Sequence, residues 1–163
     1  MPPCLHVPED QARFRAALNA ADVTILGREG HERHPPEDRR RVVMTSRVAG
    51  VQGGGALAFW NPAGATLAEA LATLERDGPA RVAAVAGGTR VMTALLPVTD
   101  RFDLAVAETC SIPRGRPCLV GAEGVEGIGA MLAQAGLSRA ETSPLGAATL
   151  HVFRRVQAPP VSQ

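Results

Sequence analysis

Aromatic side chains are scarce in this sequence of 163 residues, where they make up 3%, with one Trp, four Phe and no Tyr. Because apolar residues still reach 45%, the core must be built mainly from Ala, Val and Leu. The charged fraction of 20% is ordinary for a globular protein and argues against wholesale disorder. A chain of this length is expected to form one domain with a substantial core.

The sequence also lacks an excess of either charge, since 17 basic and 16 acidic residues leave a net charge of +1. No global field therefore attracts nucleic acid or a membrane surface, and neither is expected as a partner. No apolar run approaches the roughly 18 residues that span a bilayer. The first residues, MPPCLHVPED, lack the basic and apolar regions of a signal peptide. We expect a cytoplasmic protein.

Metal-binding and disulfide patterns are missing as well. The three cysteines, Cys4, Cys110 and Cys118, show no CxxC spacing, which favours reduced thiols over a disulfide framework. His31 and His34 lie close together, but HExxH is absent and a third strong ligand is missing. We interpret them as part of a polar loop and expect no metal site.

Short apolar runs alternate with helical patterns along most of the chain. This alternation predicts βαβ units in an α/β fold with a mostly parallel central sheet and an antiparallel C-terminal edge. We expect one domain over residues 1–157 and a loose tail over 158–163. A glycine-rich loop is predicted over 50–55 and a turn-rich connection over 113–117. The predicted helices are 8–20, 67–78, 89–96 and 128–135, and the predicted strands are 23–26, 42–44, 56–60, 82–86, 102–107 and 149–153.

Two glycines stand where a strand gives way to a helix, in the stretch VAAVAGGTRVMTALL over residues 82–96. Backbone amides without side chains at the start of a helix favour the close approach of a phosphate. A second interpretation is that Gly87 and Gly88 only allow the strand and the helix to pack tightly. The sequence leaves both open.

Four features in this order resemble the dihydrofolate reductase family, whose superfamily includes the reductase domain of bacterial riboflavin biosynthesis. They cover about residues 1–107 and, loosely, the C-terminal strand ATLHVFRR. The resemblance implies a three-layer α/β/α fold, NADPH as cofactor and a small heterocyclic substrate. The features are a helix with D-x-x-x-F (Asp10, Phe14), a strand ending in Gly27-Arg28, a strand ending in Thr45-Ser46, and AGGTRV after a central strand.

The resemblance also implies which residues bind the cofactor. The pyrophosphate would lie over Gly87 and Gly88, and the 2′-phosphate beside Arg28 and the group 45–47. Guanidinium and hydroxyl donors suit a phosphate monoester, whereas NAD sites place a carboxylate on the ribose, so NADP is favoured over NAD. Glu29 departs from this pattern, and the arginines could be ordinary surface charges. The full set is Gly27, Arg28, Thr45, Ser46, Arg47, Gly87, Gly88, Thr89 and Arg90.

Three further residues are implied at the substrate. Asp10 would hold the ring nitrogen and exocyclic amine of the heterocycle and assist its protonation; alternatively, it is only a first-turn acid that complements the helix dipole. Phe14 would pack on the substrate ring, or else belong to the core. Arg39 falls near the position that binds the folate tail carboxylate, but it also belongs to the basic run 38–41, which could be a solvated loop.

Three departures from the family matter. The family's first strand, which lies in the middle of the sheet, is absent, because the sequence begins at Met1-Pro2, which resembles the loop after that strand. Its removal would leave backbone groups unpaired on two neighbours, at on the order of 1 to 3 kcal/mol each. We expect that the true start lies upstream, or that another segment fills the gap. Met92 replaces a frequent Tyr, and Ala105 replaces a Thr common in folate reducers.

The expected activity is hydride transfer from NADPH to a pterin- or folate-like heterocycle. An alternative is the riboflavin-pathway reduction of a pyrimidine, 5-amino-6-ribosylaminouracil phosphate, in which Arg114 and Arg116 could bind the sugar phosphate. A second alternative is a degenerate member that binds a nucleotide without turnover. Unpaired strand edges could join two copies as a homodimer.

Overall fold

The computed structural model describes residues 5–34, 39–74, 81–112 and 115–156. The chain divides into two compact units, which are Met1–Arg13 with Thr93–Gln163, and Phe14–Met92. In the described residues the helices are α1 Pro8–Ala20, α2 Arg28–Arg33, α3 Leu67–Ala72, α4 Thr89–Leu95 and α5 Gly124–Gln134. The strands are β1 Val23–Gly27, β2 Arg41–Met44, β3 Val51–Gly54, β4 Leu57–Trp60, β5 Ala83–Gly87, β6 Arg101–Val106, β7 Leu137–Leu145 and β8 Ala148–Arg155.

The central sheet belongs to the unit Phe14–Met92 and has the strand order β3-β4-β2-β1-β5. All of its pairings are parallel except that of β3 with β4. Its middle strands are buried because short aliphatic runs supply most of their side chains; Ile25, Val42 and Val43 are almost fully inaccessible. The mixed α/β class with a mostly parallel central sheet, predicted from the alternation of patterns, is therefore confirmed.

A second, antiparallel sheet belongs to the other unit and has the order β6-β8-β7. We expected an antiparallel edge on the central sheet, but these strands form a separate sheet. Strand β7 was not predicted, because LSRAETSPL is exposed at almost every position and offers no alternation of apolar and polar residues. The buried residues of β8, among them Leu150 and Val152, supply the apolar side of this sheet.

Three predicted elements differ from those observed. The loop predicted over 50–55 was wrong for β3, because its glycines pair with β4 as a short edge strand. The polar loop after Arg28 is instead the helix α2. Helix α3 begins at Leu67 as predicted, after a capping box of Thr66 and Glu69, but ends at Ala72, since Leu74 forms a β-bridge with Gly55. The last part of the predicted span of α3 lies outside the described residues. The same is true of the predicted tail 158–163 and of Arg114.

The cysteines also differ from expectation. Cys110 is disulfide-bonded, so the prediction of reduced thiols was wrong for this residue. Cys118 is half-buried, and burial raises the pKa of its thiol.

Strand edges remain unpaired in each unit. Among the described residues, β5 pairs with β1 alone and β6 pairs with β8 alone. Such edges are where the expected additional strand or a second copy of the chain would pair. Both possibilities stay predictions, as does the single domain over 1–157.

Asp103 of β6 is bound by two arginines, and this contact generates a prediction about stability. Its carboxylate accepts from Arg13 Nη2 at 2.8 Å and from Arg101 Nε at 2.7 Å. Burial acts to raise the pKa of Asp103, but the hydrogen bonds from Arg101 and Arg13 outweigh it, so the pKa is lowered. The carboxylate therefore stabilises the fold above the unfolded pKa of about 4, and this contribution is lost as the pH falls through the folded value.

We expect Asp103→Asn to lower the free energy of unfolding by about 1 kcal/mol at pH 7, because the exposed part of the network is screened by water. The difference from the unchanged protein should shrink below about pH 4. Urea denaturation at several pH values measures it. Asp100→Asn is the matched control, since Asp100 is exposed and lies 3.7 Å from Arg155 Nε. A deficit that does not depend on pH would contradict the assignment.

Candidate functional site

The glycine turn, Gly87-Gly88, joins β5 to α4. Gly87 has φ of +120° and Gly88 has φ of +92°, both in the left-handed region that side chains rarely adopt. The turn follows an irregularity in β5, where Ile25 faces Val85 and Leu26 faces Gly87, so that Ala86 has no partner in that pairing. Backbone conformation alone thus demands glycine at both positions.

Packing around Val91 supports the interpretation that the glycines allow the strand and the helix to pack tightly. Val91 is 2% exposed, and a Cβ built on Gly88 would lie 3.3 Å from its Cγ2 atom. A Cβ on Gly27 would lie 3.4 Å from the same atom, whereas one on Gly87 would make only an ordinary contact with Met92 Cε at 3.6 Å. The strand and helix are therefore tightly packed, yet Gly88 itself is exposed to solvent.

Parallel register brings the predicted cofactor residues to one edge of the central sheet, which we call the carboxyl edge. Gly27 faces Met44 across β1 and β2, and Leu26 faces Gly87 across β1 and β5. The residues that follow these strands therefore lie side by side. The nine predicted cofactor residues, Gly27, Arg28, Thr45, Ser46, Arg47, Gly87, Gly88, Thr89 and Arg90, all belong to the unit Phe14–Met92.

The arginines at the carboxyl edge differ in whether a carboxylate of the chain already binds them. Arg28 Nη1 lies 2.6 Å and 2.8 Å from the two carboxylate oxygens of Glu32. Arg47 and Arg90, by contrast, form no ion pair within the described part of the chain and are exposed. Thr45 Oγ1 accepts from the Arg47 amide at 3.3 Å, which fixes the turn after β2.

Arg39 is not brought to the carboxyl edge. It precedes β2 and therefore lies at the opposite, amino edge of the sheet, where its Nη2 atom donates to Asn19 Oδ1. A cavity of about 370 Å³ opens there, lined by Leu18, Asn19, Ala21, Asp22, Thr24, Arg39 and Arg40. The backbone amides of Val82 and Arg81 lower the pKa of Asp22 by hydrogen bonding, so this carboxylate anchors the start of β5.

Asp10 and Phe14 lie one turn apart on α1. Phe14 is 46% exposed, so the interpretation of it as a core residue was wrong, and its ring is accessible to a ligand. Asp10 is half-buried and belongs to the other unit. Its predicted contact with a substrate stays a prediction.

A larger groove, of about 690 Å³, lies in the unit of α5, β7 and β8. Its lining includes Val125, Ala133 and Phe153, with Arg139 above the Phe153 ring at 5.6 Å from the centroid. None of the predicted site residues lines it.

Two residues of α2 were missed or misplaced by the sequence analysis. Glu32 was not singled out, although its spacing of four residues from Arg28 is that of a helical ion pair. His31 lies 5.8 Å from Phe59 between ring centroids, and its Nδ1 atom is buried with no hydrogen-bond partner in the described structure. No group of three or more His, Cys, Asp or Glu residues that could hold a metal ion occurs among the described residues.

No family model matches the chain, and no curated protein matches it. A crystal structure of a protein from Shewanella sp. PV-4 assigned to riboflavin biosynthesis is similar, with a TM-score of 0.48 and 13% identity, over 88% of this chain and 79% of that one. None of the helices in the described parts of the chain combines the length and the apolar composition that a membrane span requires.

The glycine turn generates a stability prediction with a matched control. Gly88→Ala should lower the free energy of unfolding by about 1 to 3 kcal/mol, because it combines positive φ with a close approach to Val91. Gly129→Ala, inside α5 with no atom within 4 Å of the new Cβ, should be neutral or stabilising by up to about 1 kcal/mol. Equal losses in the two variants, measured by urea denaturation, would contradict the assigned strain.

Proposed function

We propose that the chain is an NADPH-dependent reductase of a small heterocycle of the pterin or pyrimidine class, with the cofactor bound at the carboxyl edge. One observation carries the proposal: parallel register sets an exposed glycine turn beside the residues that follow β1 and β2. Ligands of open parallel sheets bind outside the carboxyl ends of the strands. The residues there are glycines, hydroxyl side chains and arginines, which is the chemistry that a dinucleotide phosphate requires.

Each group at the carboxyl edge has a role in this proposal. The amides at the glycine turn would bind the diphosphate, to which no Cβ would bar close approach. Arg28, Arg47 and the hydroxyl groups of Thr45 and Ser46 would bind the 2′-phosphate. Helix α4 has only seven residues, so its dipole adds little and the backbone amides carry the interaction.

The cofactor supplies the hydride, and the protein supplies orientation and a proton. Phe14 would present its exposed ring to the flat face of the heterocycle. Asp10, one helical turn away, would bind the ring nitrogen and hold the proton that accompanies reduction. Arg39 pairs with Asn19 at the amino edge, so a role for it requires a substrate that reaches this far.

Cofactor binding is the first test. When NADPH is titrated into the purified chain, the fluorescence of the mixture should change and then reach a plateau as the binding site saturates. Arg28→Ala and Arg47→Ala should each weaken NADPH binding about tenfold, as expected for the loss of a charge-assisted hydrogen bond, and leave NADH binding nearly unchanged. Arg81→Ala removes one positive charge at the amino edge of the sheet. It is therefore the control for an effect of net charge alone on NADPH binding. Absence of saturable NADPH binding would contradict the proposal.

Turnover is the second test. NADPH oxidation at 340 nm should depend on a dihydropterin, dihydrofolate or aminopyrimidine substrate. Asp10→Asn should lower the turnover number by about 100-fold or more without weakening NADPH binding, because only proton transfer is lost. Glu9→Gln is the matched control for Asp10→Asn, since both acids lie in the first turn of α1. Equal effects of the two substitutions on the turnover number would mean that Asp10 only complements the helix dipole. NADPH binding without any turnover would favour a non-catalytic protein.

A further inference from the structure

Glu32 forms an ion pair with Arg28, the arginine that would bind the 2′-phosphate in the proposed function. Arg28 is the first residue of α2, and Glu32 lies one turn later on the same helix. Both carboxylate oxygens lie within 2.8 Å of Arg28 Nη1. The side chains are 33% and 52% exposed, so the pair is open to solvent and to a ligand.

We propose that Glu32 is an internal competitor for phosphate at Arg28 and thereby limits the preference of the protein for NADPH over NADH. This inference rests on the proposed function, which places the 2′-phosphate beside Arg28. A carboxylate and a phosphate monoester use the same guanidinium donors. When a phosphate takes the Arg28 Nη1 donors, Glu32 must therefore release or share them.

Two effects make this competition unfavourable for NADPH. Exchanging an exposed ion pair for another partner changes an equilibrium constant by at most about fivefold. The displaced Glu32 carboxylate then stays near a dianionic phosphate, and at physiological ionic strength this repulsion extends over roughly 8 Å. NADH has a hydroxyl group at this position and experiences neither effect. The competition is therefore specific to the 2′-phosphate.

Glu29 provides a matched control on the same helix. It lies 3.9 Å from Arg33, and both of these side chains are more exposed than those of Arg28 and Glu32. Glu29→Gln changes the charge of α2 by the same amount as Glu32→Gln but leaves the contact with Arg28 in place. Comparing the two variants separates competition at Arg28 from a general change in charge.

The test is a fluorescence titration of the full chain and of Glu32→Gln and Glu29→Gln with NADPH and with NADH. Glu32→Gln should lower the Kd for NADPH about threefold to tenfold and change that for NADH by less than about twofold. Glu29→Gln should change both by less than about twofold. The gain should diminish at high salt, and most of it should disappear when Arg28→Ala is added to Glu32→Gln.

Two results would overturn the competition while leaving the proposed function intact: an unchanged NADPH affinity in Glu32→Gln, or an equal gain for NADPH and NADH. A gain that is as large in Glu29→Gln would overturn it as well. If neither cofactor binds the unchanged chain or Glu32→Gln at millimolar concentration, the proposed function fails and the competition fails with it. Circular dichroism of each variant confirms that the helices are retained.

Discussion

The parallel register of β2, β1 and β5 is the constraint on which the candidate site depends. It is held by aliphatic side chains that are buried on both faces of β1 and β2, such as Ile25, Val42 and Val43, because a shift of one strand would break their close packing. The same register sets the ends of the three strands level. Residues that are 60 positions apart in the chain, such as Gly27 and Gly87, become neighbours only for this reason.

The glycine turn serves packing and access together. A Cβ at Gly88 would lie 3.3 Å from Val91, closer than most such contacts, so tight packing of α4 on the strands explains part of the glycine requirement. Positive φ explains the remainder, and Gly88 remains exposed. The two interpretations of the pair therefore do not compete: the conformation that lets the strand pass into the helix also leaves a stretch of backbone without side chains at the carboxyl edge.

Sequence patterns predicted the elements that carry a local signal and missed those that do not. Strands β1 and β2 and the start of α3 were found because aliphatic runs and a threonine before the first helical residue are local signals. Strand β7 and helix α2 carry mostly polar residues, and only pairing with β8 or position after β1 defines them. The contact of Arg28 with Glu32 was missed for the same reason, since it exists only once residues 28–33 are helical.

Arg28, a residue of the candidate site, already has an ion-pair partner in this structure. Both carboxylate oxygens of Glu32 accept from Arg28 Nη1, whereas Arg47 and Arg90 lack an ion-pair partner in the part of the chain described. The most direct measurement of the central claim is a crystal structure of the chain soaked with NADPH. The account predicts the diphosphate within hydrogen-bonding distance of the Gly88 and Thr89 amides and the 2′-phosphate beside Arg28 and Arg47. A glycine turn without ligand at saturating NADPH, or a cofactor bound elsewhere, would contradict it.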